Sequence, residues 1–293
     1  MKTLQEIILK LSSFWGDNGC VIAEPYDVEK GAGTFNPMTF LKLFDGNDWR
    51  AAYVEPSRRP QDGRYGENPF RLYKHFQFQV ILKPAPKNSR GLYLKSLKTI
   101  GIDLKRHDIR FLEDNWESPT LGAWGRGWEV RLDGLEITQF TYFQQAGGID
   151  LEMIPVELTY GLERIAMFLS KKRNVFDVEW ARGVDYGAMR REEESQFSRY
   201  YFDEAPAPEL LGIFSFYEKE TARLISLSLP LPAYDCLLKM SHIFNVVDAR
   251  GGFDHATRTA FVKKIRGLAG RIAAYIKESE LESLRYGCNN GKV

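Results

Sequence analysis

Apolar residues recur at Leu4, Ile7, Ile8, Leu11, Phe14 and Trp15, positions that share one face of a helix. Asp17-Asn18-Gly19 predicts its stop, with Gly19 able to take the left-handed cap. Cys20 to Ala23 reads as a short strand closed by Pro25. Ala51 to Val54 predicts a second strand. The polar stretch Ser57 to Arg71, broken by Pro60, Gly63, Gly66 and Pro69, predicts a long loop. From Phe76 to Lys83 the pattern alternates: Phe76, Phe78, Val80 and Leu82 share one face, Gln77 and Gln79 the other. Two strands and the loop between them make an extended hairpin. Trp128–Leu132 and Leu135–Phe143 flank Asp133-Gly134, a dipeptide suited to a tight type I′ turn. Val156 to Thr159 predicts a further strand, passing at Gly161 into a helix with Leu162, Ile165, Ala166 and Leu169 inward.

The character changes near residue 183. Residues 183–207 are polar and read as an irregular connecting segment, and helical patterns follow near 208–227, 233–246 and 257–284. The expected organisation is an α+β domain over 1–182, the connector 183–207 and a helical domain over 208–293. Neither an internal repeat nor a low-complexity segment is evident.

Composition narrows the possible functions. With 293 residues, 44% hydrophobic and 27% charged, the chain suits a soluble globular protein. Its 13% aromatic content favours a sheet-rich core over a plain helical bundle. The net charge is +1 and no run of five basic residues occurs, so any work on RNA needs a partner for much of the backbone binding. Cys20, Cys236 and Cys288 are scattered, which argues against a zinc site or a disulfide framework. Glu6 and Lys10 interrupt the start where a secretory leader needs an apolar run. No apolar run approaches the roughly 20 residues of a membrane helix. The expected setting is cytoplasmic, without a membrane.

Ser57-Arg58-Arg59-Pro60-Gln61-Asp62-Gly63-Arg64-Tyr65-Gly66-Glu67-Asn68-Pro69 carries three arginines within seven residues, spaced by glycine. Guanidinium forks grip phosphate oxygens in pairs, and glycine lets backbone approach a ligand closely. In Glu157-Leu158-Thr159-Tyr160-Gly161-Leu162-Glu163-Arg164, a strand runs into a helix whose first turn carries Arg164. An arginine there can stack on adenine or reach a γ-phosphate.

In this order, the opening helix and strand to Pro25, the hairpin Ala51–Leu82 and the segment Glu157–Leu169 resemble motifs 1, 2 and 3 of class II aminoacyl-tRNA synthetases. Longer runs carry a closer resemblance to the α subunit of bacterial-type glycyl-tRNA synthetase: Gly31-Ala32-Gly33-Thr34, Ser57–Pro69, Glu113–Gly125, Glu136–Gln145 and Leu158–Met167. The likeness covers nearly the whole chain and is strongest over 20–170. It implies an α+β fold, an antiparallel sheet flanked by helices, with a C-terminal helical domain.

The resemblance implies that glycine is activated with ATP and then passed to the 3′ end of tRNA-Gly. The first step needs no protein nucleophile, because the glycine carboxylate is one already; alignment and charge neutralisation suffice. Arg59, or its neighbour Arg58, is expected at the α-phosphate and the glycine carboxylate. Arg64 and Glu67 are expected in the loop over the nucleotide, and Arg164 on one face of adenine. Arg59 and Arg164 are the expected catalytic pair. Strand parity puts His75 with Gln77 and Gln79, whereas Phe76 is the better stacking surface; either could take adenine's other face. Glu136, with Gln139, is the candidate Mg²⁺ holder alongside ATP phosphates. Glycine must be recognised by exclusion, with Trp116 as the expected wall. Glu157 and Thr159 on one strand, and Gln77 and Gln79 on another, are the candidates to hold its ammonium.

Expected partners are ATP, glycine, tRNA-Gly, a larger β subunit that carries most tRNA binding, and a second α chain paired through the first helix in an α2β2 assembly. Leu210, Leu211, Ile213 and Phe214 are the expected docking side chains for β. Departures from the family pattern are Asn36 in place of a usual His, Phe70 in place of a small polar residue, and Gly252–Thr257. The rival readings are an adenylate-forming paralogue that does not use tRNA, and a non-catalytic regulatory subunit. The second should have lost phosphate-binding arginines, which this chain retains.

Overall fold

The computed structural model describes residues 3–287, with side chains to residue 280; Met1, Lys2 and Cys288 lie outside the described residues. The first helix, α1 (Leu4–Asp17), opens on a reciprocal cap. The Thr3 side chain accepts from the Glu6 amide, and the Glu6 carboxylate accepts from the Thr3 amide. Gly19 follows with φ +83°, as the stop signal required. The helix buries Leu4, Ile7, Leu11 and Trp15.

The strand β1 (Val21–Ile22) pairs in parallel with β2 (Trp49–Arg58), after the short helix α2 (Pro37–Phe40). β2 and β3 (Lys74–Lys83) form the long hairpin. Then come α3 (Ser89–Thr99), β4 (Ile109–Glu113), β5 (Trp116–Ser118), β6 (Ala123–Leu132), β7 (Leu135–Ala146), β8 (Ile149–Asp150) and β9 (Val156–Gly161). The main sheet has nine strands in the order β1-β2-β3-β9-β7-β6-β4, with β5 on β6 and β8 on β7. All its pairings except β1–β2 are antiparallel. The β6–β7 turn holds Asp133 and Gly134 at φ 49° and 86°, the two positive angles of a type I′ turn.

Strand parity divides the core in two. Ala52, Phe78, Val80 and Leu82 pack against α1, α3 and α4 (Leu162–Ser170). Ala51, Tyr53 and Ile81 point the other way, into a second core with α7 (Pro230–Ala249) and α8 (His255–Gly287). α6 (Ala207–Ser226) joins that layer and buries Phe214, while Leu210 and Leu211 are partly buried, so these three expected docking side chains are largely used within the chain. Ile213 and Phe216 remain exposed.

Two expectations are corrected. Residues 183–207 are mostly helical. After β10 (Glu179–Ala181) and β11 (Val184–Asp185) comes α5 (Tyr186–Arg199), then a π-helical turn, Tyr200–Glu204. The buried stripe of α5 is Tyr186, Arg190, Glu194 and Ser198, a helical spacing of mostly polar residues, so hydrophobic periodicity could not reveal it. The helix expected from residue 233 begins at Pro230, with Pro232 also in its first turn, because first-turn amides need no partner within the helix. Among the described residues, no helix is long and apolar enough to cross a membrane.

Candidate active site

On the second face of the sheet, beyond Ile81, apolar residues give way to Gln79, Gln77 and His75 on β3, and to Thr159 and Gly161 on β9. A cavity of about 410 Å³ opens there, within the ordinary range for a small-molecule site. It is lined by Arg59, His75, Gln77, Trp116, Glu136, Gln139, Thr159 and Arg164, together with Ala32, Thr34, Asp62, Phe70, Arg71, Leu72, Ile137, Thr138, Gly161 and Glu163.

One side of this cavity is cationic. Arg59 leaves the end of β2, its amide donating to the Tyr73 carbonyl at 2.6 Å and its Nε to the Gly31 carbonyl at 2.9 Å. Arg164, in the first turn of α4, donates to the carbonyl and the carboxylate of Glu136. His75 lines the same cavity and feels the charge of both guanidinium groups. Burial, reinforced by the charges of Arg59 and Arg164, holds its pKa well below the usual histidine value, so the ring is neutral. Burial also lowers the Arg59 pKa, and the charge of Arg164 adds to that lowering. The two arginines therefore feel each other across one pocket. The Glu136 carboxylate, paired with Arg164, also acts on Arg59 and offsets part of that lowering.

A second, polar compartment adjoins it. Gln77 Oε1 accepts from the Gly33 amide at 2.8 Å and from Ser57 Oγ at 3.0 Å. Thr159 donates to Gln79 Oε1 at 2.9 Å, while Gln79 Nε2 donates to Glu157. Glu157 is buried, and that burial pushes its pKa up to about 8 despite donors from Thr34, Thr159 and Gln79. Trp116 stands at the edge of the pocket with its ring edge-on to Phe143, 5.3 Å between centroids. The loop before β2 is stitched to the same face. Lys30 pairs with Glu55 at 2.8 Å, and Asn36 Nδ2 donates to Glu55 at 2.6 Å. Asn36 also caps α2 by accepting from the Met38 amide, which gives this departure from the family pattern a structural job.

Several expected site residues stand elsewhere. Arg58 has the opposite strand parity to Ser57, and lies over the Phe197 ring with Glu29 at 3.8 Å. Arg64 folds back on its own loop, bonding the Gln61 and Gly63 carbonyls. Glu67 is exposed and does not line the cavity. Phe76 alternates away from His75 and packs edge-on against Trp180. Gln79 and Glu157 form a buried layer behind the lining. Among lining side chains, Thr34, Phe70, Arg71 and Glu163 were not expected. Thr34 lay in the small-residue loop and Arg71 closed the arginine loop, so both had a positional signal. Phe70 had stood out only as a departure.

The metal expectation meets a sparse donor set. Among the described residues, no cluster of three or more His, Cys, Asp or Glu side chains could hold a metal ion. Glu136 and Gln139 offer one carboxylate and one amide oxygen to the cavity, a set that fits Mg²⁺ whose remaining ligands are phosphate oxygens and water.

Residues 4–280 match the family model for the glycyl-tRNA synthetase alpha subunit. The glycine--tRNA ligase alpha subunit of Coprothermobacter proteolyticus is 61% identical over 279 residues, covering 95% of this chain and 96% of that one. Two solved structures of pyrrolysyl-tRNA synthetase from Desulfitobacterium hafniense, each 14% identical, superpose with TM-scores of 0.43 and 0.41. The first covers 63% of this chain and 76% of the other, the second 61% and 73%. The match across residues 4–280 and the 61% identity establish that this chain belongs to the glycyl-tRNA synthetase alpha subunit family, a subunit of an aminoacyl-tRNA synthetase.

Proposed function

We propose that the cavity binds ATP and glycine, joins them as glycyl-adenylate, and, with a β subunit, delivers glycine to the 3′ end of tRNA-Gly. The observation that carries this reading is a single cavity lined by Arg59, His75 and Arg164 and also by Trp116, Gln77, Thr34 and Thr159. The first set suits a polyphosphate and the second a very small zwitterion.

In the first step, a glycine carboxylate oxygen attacks the α-phosphorus. The bond from that phosphorus to the bridging oxygen breaks, and pyrophosphate leaves. No proton need be moved. Arg59 is suited to holding the carboxylate and the α-phosphate together, and Arg164 to opposing charge on the departing side. The neutral imidazole of His75 and the exposed ring of Phe70 offer flat surfaces at the cavity for the base. Mg²⁺ bound to ATP would meet Glu136 and Gln139 and spread the phosphate charge. In the second step, a terminal ribose hydroxyl attacks the acyl carbon, the bond from that carbon to the phosphate oxygen breaks, and AMP departs with the hydroxyl proton on its phosphate.

The β subunit would supply most tRNA binding, consistent with the net charge of +1. A second α chain fits against α1 and the short edge strand β1, where Leu9, Val21 and Ile22 are exposed. The deciding assay is glycine-dependent exchange between pyrophosphate and ATP, followed by charging of tRNA-Gly when β is added. Exchange without charging in the presence of β would select the paralogue reading, and no exchange the non-catalytic one.

A further inference from the structure

We infer that α5 is a bracket that positions both arginine-bearing elements, and that Glu194 is its principal positioning residue. The functional consequence rests on the reading of the cavity as an ATP site.

The contacts run the length of the hairpin loop. Ser198 Oγ accepts from the Tyr65 amide at 2.9 Å, and Arg191 donates to the Gly66 carbonyl at 3.2 Å. Glu194 uses both carboxylate oxygens, accepting from the amides of Tyr73 at 3.0 Å and Lys74 at 3.2 Å. Glu193 accepts from the Tyr73 hydroxyl at 2.5 Å and pairs with Lys74. The loop glycines are fitted to this approach. A Cβ on Gly63 would lie 2.8 Å from Ser198 Oγ, and one on Gly66 would lie 3.0 Å from the Arg191 carbonyl oxygen.

The bracket reaches Arg59 through a single residue. Glu194 holds the amide of Tyr73, and the carbonyl of Tyr73 accepts from the Arg59 amide at 2.6 Å. At its other end, Tyr186 donates to Glu163 at 2.9 Å, next to Arg164 in the first turn of α4. The same Glu163 oxygen accepts from the Phe76 amide at 2.7 Å. His75 is thus flanked by carboxylate-held amides at Lys74 and Phe76. The bonds that hold Gln77 and Thr159 on the glycine side come from the opening loop and the sheet.

Glu194→Gln is a sharp probe because two amides face two oxygens. Glutamine has one oxygen, so one N–H meets an NH2 group. Exchange assays on the α chain assembled with β should show the ATP KM raised about 10-fold, the scale of a lost charged hydrogen bond. The glycine KM should rise less than the ATP KM, because Arg59 alone is shared by the two substrates while Gln77 and Thr159 keep their own bonds. Hydrogen–deuterium exchange of the 58–75 segment should speed up. Ile272→Val, on the buried face of α8, serves as the control for general destabilisation. If the ATP and glycine parameters move together as in that control, or neither moves, the bracket is overturned. Should Glu194→Gln fail to fold, Ser198→Ala decides: it should raise the ATP KM and loosen 58–75, and no change in either refutes the inference. If the unsubstituted enzyme shows no glycine-dependent exchange, the functional reading fails. Hydrogen exchange then tests the bracket alone, with unchanged protection of 58–75 overturning it.

Discussion

Thr34 places its hydroxyl 2.8 and 3.0 Å from the two carboxylate oxygens of Glu157, beneath the floor of the cavity. The carboxyl is buried, and its pKa rises from 4.5 to about 8 because burial outweighs these donors. Glu163 and Glu194 are likewise pushed up to about 7 by burial. A carboxyl whose folded pKa is raised contributes most stability below its unfolded pKa, and loses it as pH rises through the folded value. These carboxyls therefore contribute a fall in thermal stability as pH climbs from about 4.5 to about 8, opposed below about 6.5 by His75 and His242, whose pKa values burial lowers. Glu157→Gln removes one titrating group and leaves Thr34 an acceptor. The melting temperature of this variant should vary less across the window, and an unchanged slope would refute the assignment.

The two cavity arginines make a separate prediction. Arg59→Ala and Arg164→Ala should each lower glycine-dependent exchange by about 100-fold or more, the scale seen when a preorganised charge stabiliser is removed. Near wild-type exchange in either would remove that residue from the mechanism. A second readout needs no turnover. Because the charge of Arg164 adds to the depression of the His75 pKa, Arg164→Ala should raise that pKa in an NMR titration. No change would mean that burial and Arg59 set the lowered pKa without Arg164.

The arginine hairpin was legible because its signals were local. Alternation sorted Phe78, Val80 and Leu82 from Gln77 and Gln79, and the structure keeps that division. The same parity argument, carried one residue further, separates Arg58 from Arg59, but only once the strand end is known. Composition predicts a loop from Ser57 to Arg71, whereas β2 continues through Arg58 and sends that side chain to Phe197. Glu157 was found on the correct strand face, yet whether it lines the pocket or lies behind it depends on Thr34 from a distant loop. α5 escaped because a helix that buries Arg190, Glu194 and Ser198 has no apolar stripe, and its partners are backbone amides of the hairpin.

Gly33 lies where the opening loop crosses the sheet. A Cβ there would stand 2.6 Å from Gln79 Oε1 and 2.8 Å from its Cδ. Gln79 cannot swing aside freely, since it is buried and bonded to Thr159 and Glu157. Gly33→Ala must therefore displace the loop that carries Thr34 or break the buried amide layer. A loss of about 1–3 kcal/mol is expected in urea unfolding, as for other overpacked sites. The glycine KM should rise while the ATP KM changes little. Wild-type stability would show that the loop accommodates the methyl at no cost.

Trp116 tests recognition by exclusion. Its strand pairs it with Gly125, and a Cβ on Gly125 would sit 2.6 Å from both Thr141 Cγ2 and the Tyr142 carbonyl. The sheet beneath the indole therefore has no room to yield, and Phe143 braces the ring from the side. A rigid wall rejects an extra methyl by overlap, which is steeper than the roughly 1–3 kcal/mol available from lost apolar contact. Trp116→Ala should raise the ratio of alanine-dependent to glycine-dependent exchange, compared as kcat/KM, by about 10-fold or more, with Trp116→Phe intermediate. The ATP KM should hold, because the arginine compartment is built from other elements. If the ratio is unchanged in Trp116→Ala, the discriminating surface must be sought among Thr34, Gln77 and Thr159, which close the remaining sides of the same pocket.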